Sequence, residues 1–310
     1  MSVADSPMDP EVTTEVAPDA PSKLSSFLEL GKLRLSSMAI FSVVAGLYLG
    51  TPFREHPDAV VLVFVSLGAL LVAAGGNALN MLMERERDQR MERTRSRPLP
   101  TGRLSPREVA GFGFITALVG LALIAMSSNI VATSVCAAIF ITYVFVYTPM
   151  KSRTPMNTMV GAIPGALPPV VGYAAATGRL DLGALSLFLI LFFWQIPHFL
   201  AIAWRLREDY AAAGMKMLSV TDPSGDSLRR QMLLFTAALV MASLLPTKIG
   251  LADTAYAVIA FWLGMGFLVP VFVAVVLRRE SAMKWSFLAS IIYLPLLFVT
   301  MVLDRPAMPG

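Results

Sequence analysis

VVLVFVSLGALLVAAGGNAL (residues 60–79) runs without a break into NMLMERERDQRMERTRSRP (residues 80–98). The first piece is apolar and, as a helix, long enough to cross a bilayer core. The second packs four acidic and six basic residues into the fourteen positions from Glu84 to Arg97. Asn80, Glu84 and Asp88 recur at i, i+4 and i+8, so on a helix they stack along one face. Oxygen donors at that spacing suit a hard divalent cation, and magnesium completes its octahedron with waters and substrate phosphates. The arginines beyond suit phosphate or carboxylate oxygens. Arg97 is expected about two helical turns past the row, with Pro98 ending the helix. Arginine alone would be an ordinary orientation signal, but that does not explain the acidic row. The stretch predicts a membrane-spanning helix with a metal and diphosphate site at its edge.

The rest of the chain fits an all-α, polytopic membrane protein. Of its 310 residues 56% are hydrophobic and 15% charged, and the mean hydropathy is +0.67. Nine spans are expected, near 34–51, 59–80, 108–128, 130–148, 158–177, 183–204, 232–249, 255–277 and 285–303, arranged around a central cavity open to the cytoplasmic side. Uninterrupted apolar runs favour helices over barrel strands, which would alternate. With a cytoplasmic N-terminus, only Arg54, Arg179, Lys248 and Arg305 of the 25 Lys and Arg fall outside. That asymmetry follows the positive-inside rule and places the C-terminus externally. The net charge of +4 therefore reflects orientation, not nucleic-acid binding. Residues 1–22 are polar, acidic and proline-bearing, and read as a disordered cytoplasmic tail without a signal peptide. Residues 23–310 read as one domain. Cys136, the single cysteine, lies in the fourth span and excludes an internal disulfide.

A second polar cluster follows the sixth span, opening with Trp204-Arg205-Leu-Arg207-Glu208-Asp209-Tyr210. It lies four spans after the first, which suggests a weak duplication of a four-helix unit. Both clusters would then line one cavity. Asp209 is a second metal or diphosphate ligand candidate, or else a solvated helix end. Between the clusters, Lys151 and Arg153 in Tyr147-Thr-Pro-Met-Lys151-Ser-Arg153 either meet anionic groups or set topology. Gly161 and Gly165 form a Gly-x-x-x-Gly packing face. Pro164, Pro168, Pro169 and Gly172 are expected to kink or unwind the fifth span. His198, in Phe193-Trp194-Gln195-Ile-Pro197-His198-Phe199, lies deep in the sixth span. It is a functional candidate or a hydrogen-bonded interior histidine beside a proline kink.

Taken together, these segments resemble the UbiA-type intramembrane prenyltransferase superfamily, and within it the protohaem IX farnesyltransferase (haem O synthase) branch. The resemblance runs from about Leu30 to the last span. It rests on Asn80–Pro98 with its Arg93-Thr94-x-x-Arg97-Pro98 ending, on residues 147–178, and on Trp194-Gln195-x-Pro197-His198-Phe199 followed by Arg207-Glu208-Asp209-Tyr210. The wider superfamily usually has two spaced aspartates in the second loop, whereas the haem branch carries Glu-Asp-Tyr, as here. Glu84 stands where many bacterial members have Asp, and Lys151-Ser152 stands where the family has Lys-Arg, with Arg153 shifted toward that role.

The resemblance implies transfer of a farnesyl group from farnesyl diphosphate to a vinyl group of haem B, with addition of water. Magnesium would be held through Asn80, Glu84, Asp88 and Asp209. Arg93, Arg97, Lys151, Arg153, Arg207, Tyr147 and Tyr210 would contact substrate, and His198 would ligate or touch haem, which is a substrate rather than a cofactor. The implied setting is the cell inner (cytoplasmic) membrane. The implied partners are the lipid bilayer and a haem A synthase or terminal oxidase. Two alternatives stay open: another aromatic acceptor, and a non-enzymatic transporter or haem carrier. Against the carrier stands the row's position at the membrane edge rather than at midplane.

Overall fold

The computed structural model describes residues 22–53 and 55–306, without the side chains of residues 33–35. The expected tail, up to residue 21, lies outside that description. Among the described residues every regular element is helical. These are α1 (Lys23–Gly31), α2 (Leu33–Gly50), α3 (Ala59–Asp88), α4 (Pro106–Ser127) and α5 (Ile130–Ile141), followed by a π-helical stretch, Thr142–Tyr147. The chain continues through α6 (Thr148–Met150), α7 (Asn157–Ala166), α8 (Pro168–Thr177), α9 (Leu182–Arg205), α10 (Arg207–Ala212) and α11 (Leu218–Thr221). It closes with α12 (Asp226–Ala242), α13 (Leu245–Lys248), α14 (Thr254–Val276) and α15 (Glu280–Leu303).

Among the described residues eight helical stretches are long and apolar enough to span a membrane, and α1 with Ser36–Gly50, bent by 52°, makes a ninth when the pair is counted as one span. The protein is a polytopic membrane protein. The first expected span, near 34–51, is thus the second arm of a broken helix. The bend falls at Lys32, whose backbone is left-handed (φ 46°). The second expected span runs on as helix to Asp88, eight residues past its expected end, so the acidic row belongs to one continuous 30-residue helix.

Local chemistry sets the helix starts. Asp58 accepts from the Val60 and Val61 N–H groups. Ser105 and Glu108 form a reciprocal capping box with Pro106 at the first turn. Asn129 caps α5 through the Ala132 N–H and donates across to Ala174 O of α8 at 2.9 Å.

Lipid tails give helices no hydrophobic reason to associate, so close backbone approach through small residues holds such bundles together. A Cβ on Gly75 would stand 2.4 Å from Gly113 O, which locks α3 to α4. A Cβ on Gly172 would stand 1.8 Å from Val43 O. Gly172 therefore does not unwind the fifth span; it lets α8 lie against α2. The break in that span sits at Leu167, between Ala166 and Pro168, where proline removes the N–H a continuous helix needs.

Candidate active site

The row is buried: Asn80 is 2% exposed, Glu84 3% and Asp88 0%. Two ionised carboxylates cannot sit there without counter-charge, and each has one. Arg97 Nη1 donates to Asp88 Oδ1 and Oδ2 at 2.9 and 2.8 Å. Lys151 Nζ stands 3.0 Å from Glu84 Oε1 and donates to Oε2 at 3.1 Å. Asn80 Nδ2 donates to Thr148 Oγ1 at 3.1 Å.

Arg97 does not lie two helical turns past the row on a helix that runs to Pro98, as expected. The helix stops at Asp88, ten residues before Pro98, and the chain turns back on itself. Thr94 Oγ1 donates to Asp88 O at 2.9 Å, and Arg97 N to Thr94 O at 3.1 Å. The turn, rather than helical continuation, aims the guanidinium at the row.

The π-helical stretch Thr142–Tyr147 shapes the facing wall; such wide turns recur at functional sites. It brings Tyr143 OH to Asn77 Oδ1 at 3.4 Å, Tyr147 beneath Lys151 (Nζ 4.9 Å from the ring centroid), and Thr148 to Asn80. Burial works against the Lys151 charge. Tyr147 and Glu84 more than offset it, and the ammonium titrates above the ordinary lysine value. Gly161 fits the expected packing face: its missing side chain makes room for the Tyr147 ring of the π-helical stretch, since a Cβ would stand 2.5 Å from Tyr147 Cε2. Gly165 fits the packing expectation, against Gln195 of α9.

The second cluster meets the first. Arg93 Nε is 3.9 Å from Asp209 Oδ2, and Arg93 Nη2 donates to Tyr210 OH at 3.3 Å. Beneath this contact Met91 packs with Ala203, Ala213, Met215 and Met217. Lys216 N donates to Lys151 O at 2.9 Å, and Asn157 Nδ2 to Lys216 O at 3.0 Å, which ties all three loops together.

Some expected residues stand elsewhere. Arg153 is exposed, so of these two residues it is Lys151 that pairs with Glu84. Arg207 turns toward Trp204, 4.8 Å from its ring centroid. His198 packs between α9 and α15: Nδ1 is 2.7 Å from Ser290 Oγ, and the ring stacks on Trp194 at 4.8 Å and lies 5.1 Å from Phe287. Ser290 Oγ also donates to Phe287 O at 2.5 Å. A carbonyl only accepts, so the hydroxyl proton goes there and the His198 Nδ1–H donates to Oγ; in the neutral ring that tautomer leaves Nε2 without a proton.

Lys32 was read from sequence only as a topology charge. It sits half-buried at the α1–α2 break, within electrostatic range of the Glu84 and Asp88 carboxylates and of the like-charged Arg97 and Lys151, without an ion pair to either carboxylate. The break is held against α3 by Asn77 Nδ2, which donates to Gly31 O at 3.3 Å, and by Leu30, which packs with Ala78 and Met81. A lysine at the start of a span looks like an orientation signal, and only the bend turns it inward.

The residues fit a magnesium ion that takes most of its ligands from water and diphosphate. Glu84 Oε1 is buried and accepts no hydrogen bond, although Lys151 is within ion-pair range. Among the described residues no three His, Cys, Asp or Glu side chains stand close enough to hold a metal unaided, and Asp209 stands beside Arg93 rather than at the row. Two cavities of about 400 and 470 Å³ open near the same end of α3. They are lined by residues such as Arg85, Glu86 and Arg103, and none of the row's side chains borders them.

The molecule is thus an all-helical membrane body whose charged end holds a buried carboxylate row paired with cations from other chain segments. The chain belongs to the UbiA prenyltransferase family, which matches residues 39–299. It is 39% identical over 292 residues to the Protoheme IX farnesyltransferase of Solibacter usitatus (strain Ellin6076), covering 92% of this chain and 100% of that one. A second relative of that name, from Anaeromyxobacter sp. (strain Fw109-5), is 42% identical over 299 residues, with 94% and 98% covered. Among solved structures the fold is shared with a UbiA homolog from Archaeoglobus fulgidus bound to GPP and Mg2+. That match has a TM-score of 0.64 and 16% identity, and covers 89% of this chain and 99% of that one.

Proposed function

We propose that this prenyltransferase moves the farnesyl group of farnesyl diphosphate onto a vinyl group of haem B, giving haem O. The observation that carries the reading is the buried Asn80/Glu84/Asp88 row with its cations, at the end of a span, in a chain whose full-length relatives bear that activity in their names. The allylic C–O bond breaks and the diphosphate leaves with the electron pair. The vinyl π electrons then form the new C–C bond, and water adds to the resulting cation beside the macrocycle and loses a proton.

Lys32, Arg93, Arg97 and Lys151 bind the diphosphate and neutralise charge as it departs, a contribution largest where water is excluded. Glu84, Asp88 and Asn80 would hold magnesium, an ion bound in the fold neighbour, and it would supply Lewis-acid charge to the leaving diphosphate. Asp209 and Tyr210 orient Arg93 and close the site from the second loop. The Tyr147 ring offers a π face to the allylic cation, with Gly161 fixing its position. His198, with Nε2 free of a proton, contacts haem at its iron or edge. Residues 23–310 act as one catalytic domain, with the row facing the cytoplasm of an inner membrane, the N-terminus inside and the C-terminus outside. A haem A synthase or terminal oxidase receives the product.

Chromatography of haem extracted from cells with and without this gene tests the reading. The farnesylated haem should vanish with the gene and return with a plasmid copy; its persistence in the deleted strain would refute the assignment.

A further inference from the structure

Trp204 lies in the last turn of α9 and is 5% exposed, yet charge surrounds its indole. The Arg207 guanidinium is 4.8 Å from the ring centroid, and that of Arg229 is 4.9 Å away. The indole Nε1 donates to Glu280 Oε2, at the start of α15, at 2.8 Å. Arg229 is itself only 7% exposed and donates to Ser224 O at 2.7 Å. It lies 4.0 Å from Asp226, which Arg278 pairs with at 2.7 Å. Gly225 has φ +69°, and a Cβ there would fall 2.6 Å from Trp204 Cζ3. Asp222 accepts from the Ser227 and Leu228 N–H groups at 2.8 and 3.2 Å, so the turn that presents Gly225 and Arg229 is fixed in its own right.

The indole is thus a node where α9, α10, α12 and α15 meet. Cation–π contacts gain most where the cation is desolvated, as Arg229 is. What hangs from the node is functional. Arg207 also donates to Trp204 O at 3.0 Å, which fixes the corner at Leu206 from which α10 departs. Asp209 and Tyr210 follow within that one short helix and meet Arg93.

We propose that Trp204 is a positioning residue for the prenyl-donor site. Gripped by Arg207, Arg229 and Glu280, it sets the α9–α10 corner so that Asp209 and Tyr210 stand against Arg93. This rests on Asp209 and Tyr210 being part of the diphosphate site, as proposed above.

The test is paired titration of the full-length protein in detergent, with farnesyl thiodiphosphate plus magnesium as one probe and haem B as the other. Trp204→Leu removes both cation–π contacts and the indole donor, and should weaken thiodiphosphate binding about tenfold or more. Haem B affinity should stay within about twofold. Trp204→Phe keeps an aromatic face and should recover most of the donor affinity. Gly225→Ala, which drives a methyl group into the ring, and Arg229→Met, which removes one cation, should each produce the same donor-selective loss. These two keep the question answerable if Trp204→Leu does not fold.

Equal weakening of both probes, or donor affinity unchanged in Gly225→Ala and Arg229→Met, would reduce Trp204 to a packing residue and overturn the proposal. Asp88→Asn serves as the control. If it too binds farnesyl thiodiphosphate normally, the donor site itself is misassigned. If it fails to bind while the Trp204 variants bind normally, only the positioning role falls.

Discussion

Arg97→Ala should be among the most destabilising single changes at the charged end of the bundle. Asp88 is wholly buried, with its side chain 0% exposed, while Arg97 is 18% exposed and holds both carboxylate oxygens through one nitrogen. Removing the arginine leaves a buried charge uncompensated, which costs about 3–5 kcal/mol. Protonation of Asp88 relieves part of that and sets the result toward the lower end. Asp88→Asn instead leaves a guanidinium that can turn toward water, and should cost about 1–2 kcal/mol. The double variant should be more stable than Arg97→Ala alone, because a buried neutral amide is cheaper than a buried unpaired carboxylate.

The chain supplies its own reporter. Cys136 is the single cysteine and is 2% exposed, so a thiol-reactive fluorogenic dye labels it only on unfolding. The midpoint of Arg97→Ala should fall by roughly 10 °C, at about 2–4 °C per kcal/mol. Recovery in the double variant should be at least a third of that loss. A midpoint within 2–3 °C of wild type (about 1 kcal/mol), or strictly additive single and double variants, would refute the buried pair.

Glu84→Gln should abolish turnover with the fold retained, while Glu84→Asp keeps the charge on a shorter arm and should retain measurable activity; equal loss in both would shift the metal site elsewhere. Lys32→Met should raise the KM for farnesyl diphosphate by tenfold or more with little change in the KM for haem, and an unchanged donor KM would return Lys32 to a topology role. Gly161→Ala forces the Tyr147 ring aside and should lower kcat more than it alters either KM, which steady-state kinetics on both substrates can check. His198→Ala should shift the Soret band of the haem complex and weaken haem binding, leaving thiodiphosphate binding intact; a normal spectrum and affinity would remove His198 from the site.

Much of this was legible in the sequence because the bilayer is a strict solvent. Apolar runs of span length had to be helices, and the i, i+4, i+8 spacing had to make a face once the helix ran on to Asp88. Contacts made by turns were not legible. Arg97 reaches Asp88 because Thr94 folds the chain back, and no periodicity announces that. Lys32 looked like a flanking charge, since a 52° bend inside the first span leaves no pattern in an apolar sequence. Gly161 read rightly as a packing residue, but its neighbour Tyr147 is brought to it by a π-helical turn that sequence does not mark. Arg153 was given a role through spacing by analogy, and one residue of offset carries it into solvent.

The most direct test of the assigned reaction uses the purified protein in lipid nanodiscs with haem B, farnesyl diphosphate and magnesium, in water enriched in oxygen-18. Mass spectrometry of the extracted haem should find one farnesyl group and one labelled hydroxyl added, in wild type but not in Asp88→Asn. Haem B recovered unchanged, while the same preparation farnesylates a phenolic acceptor, would contradict it.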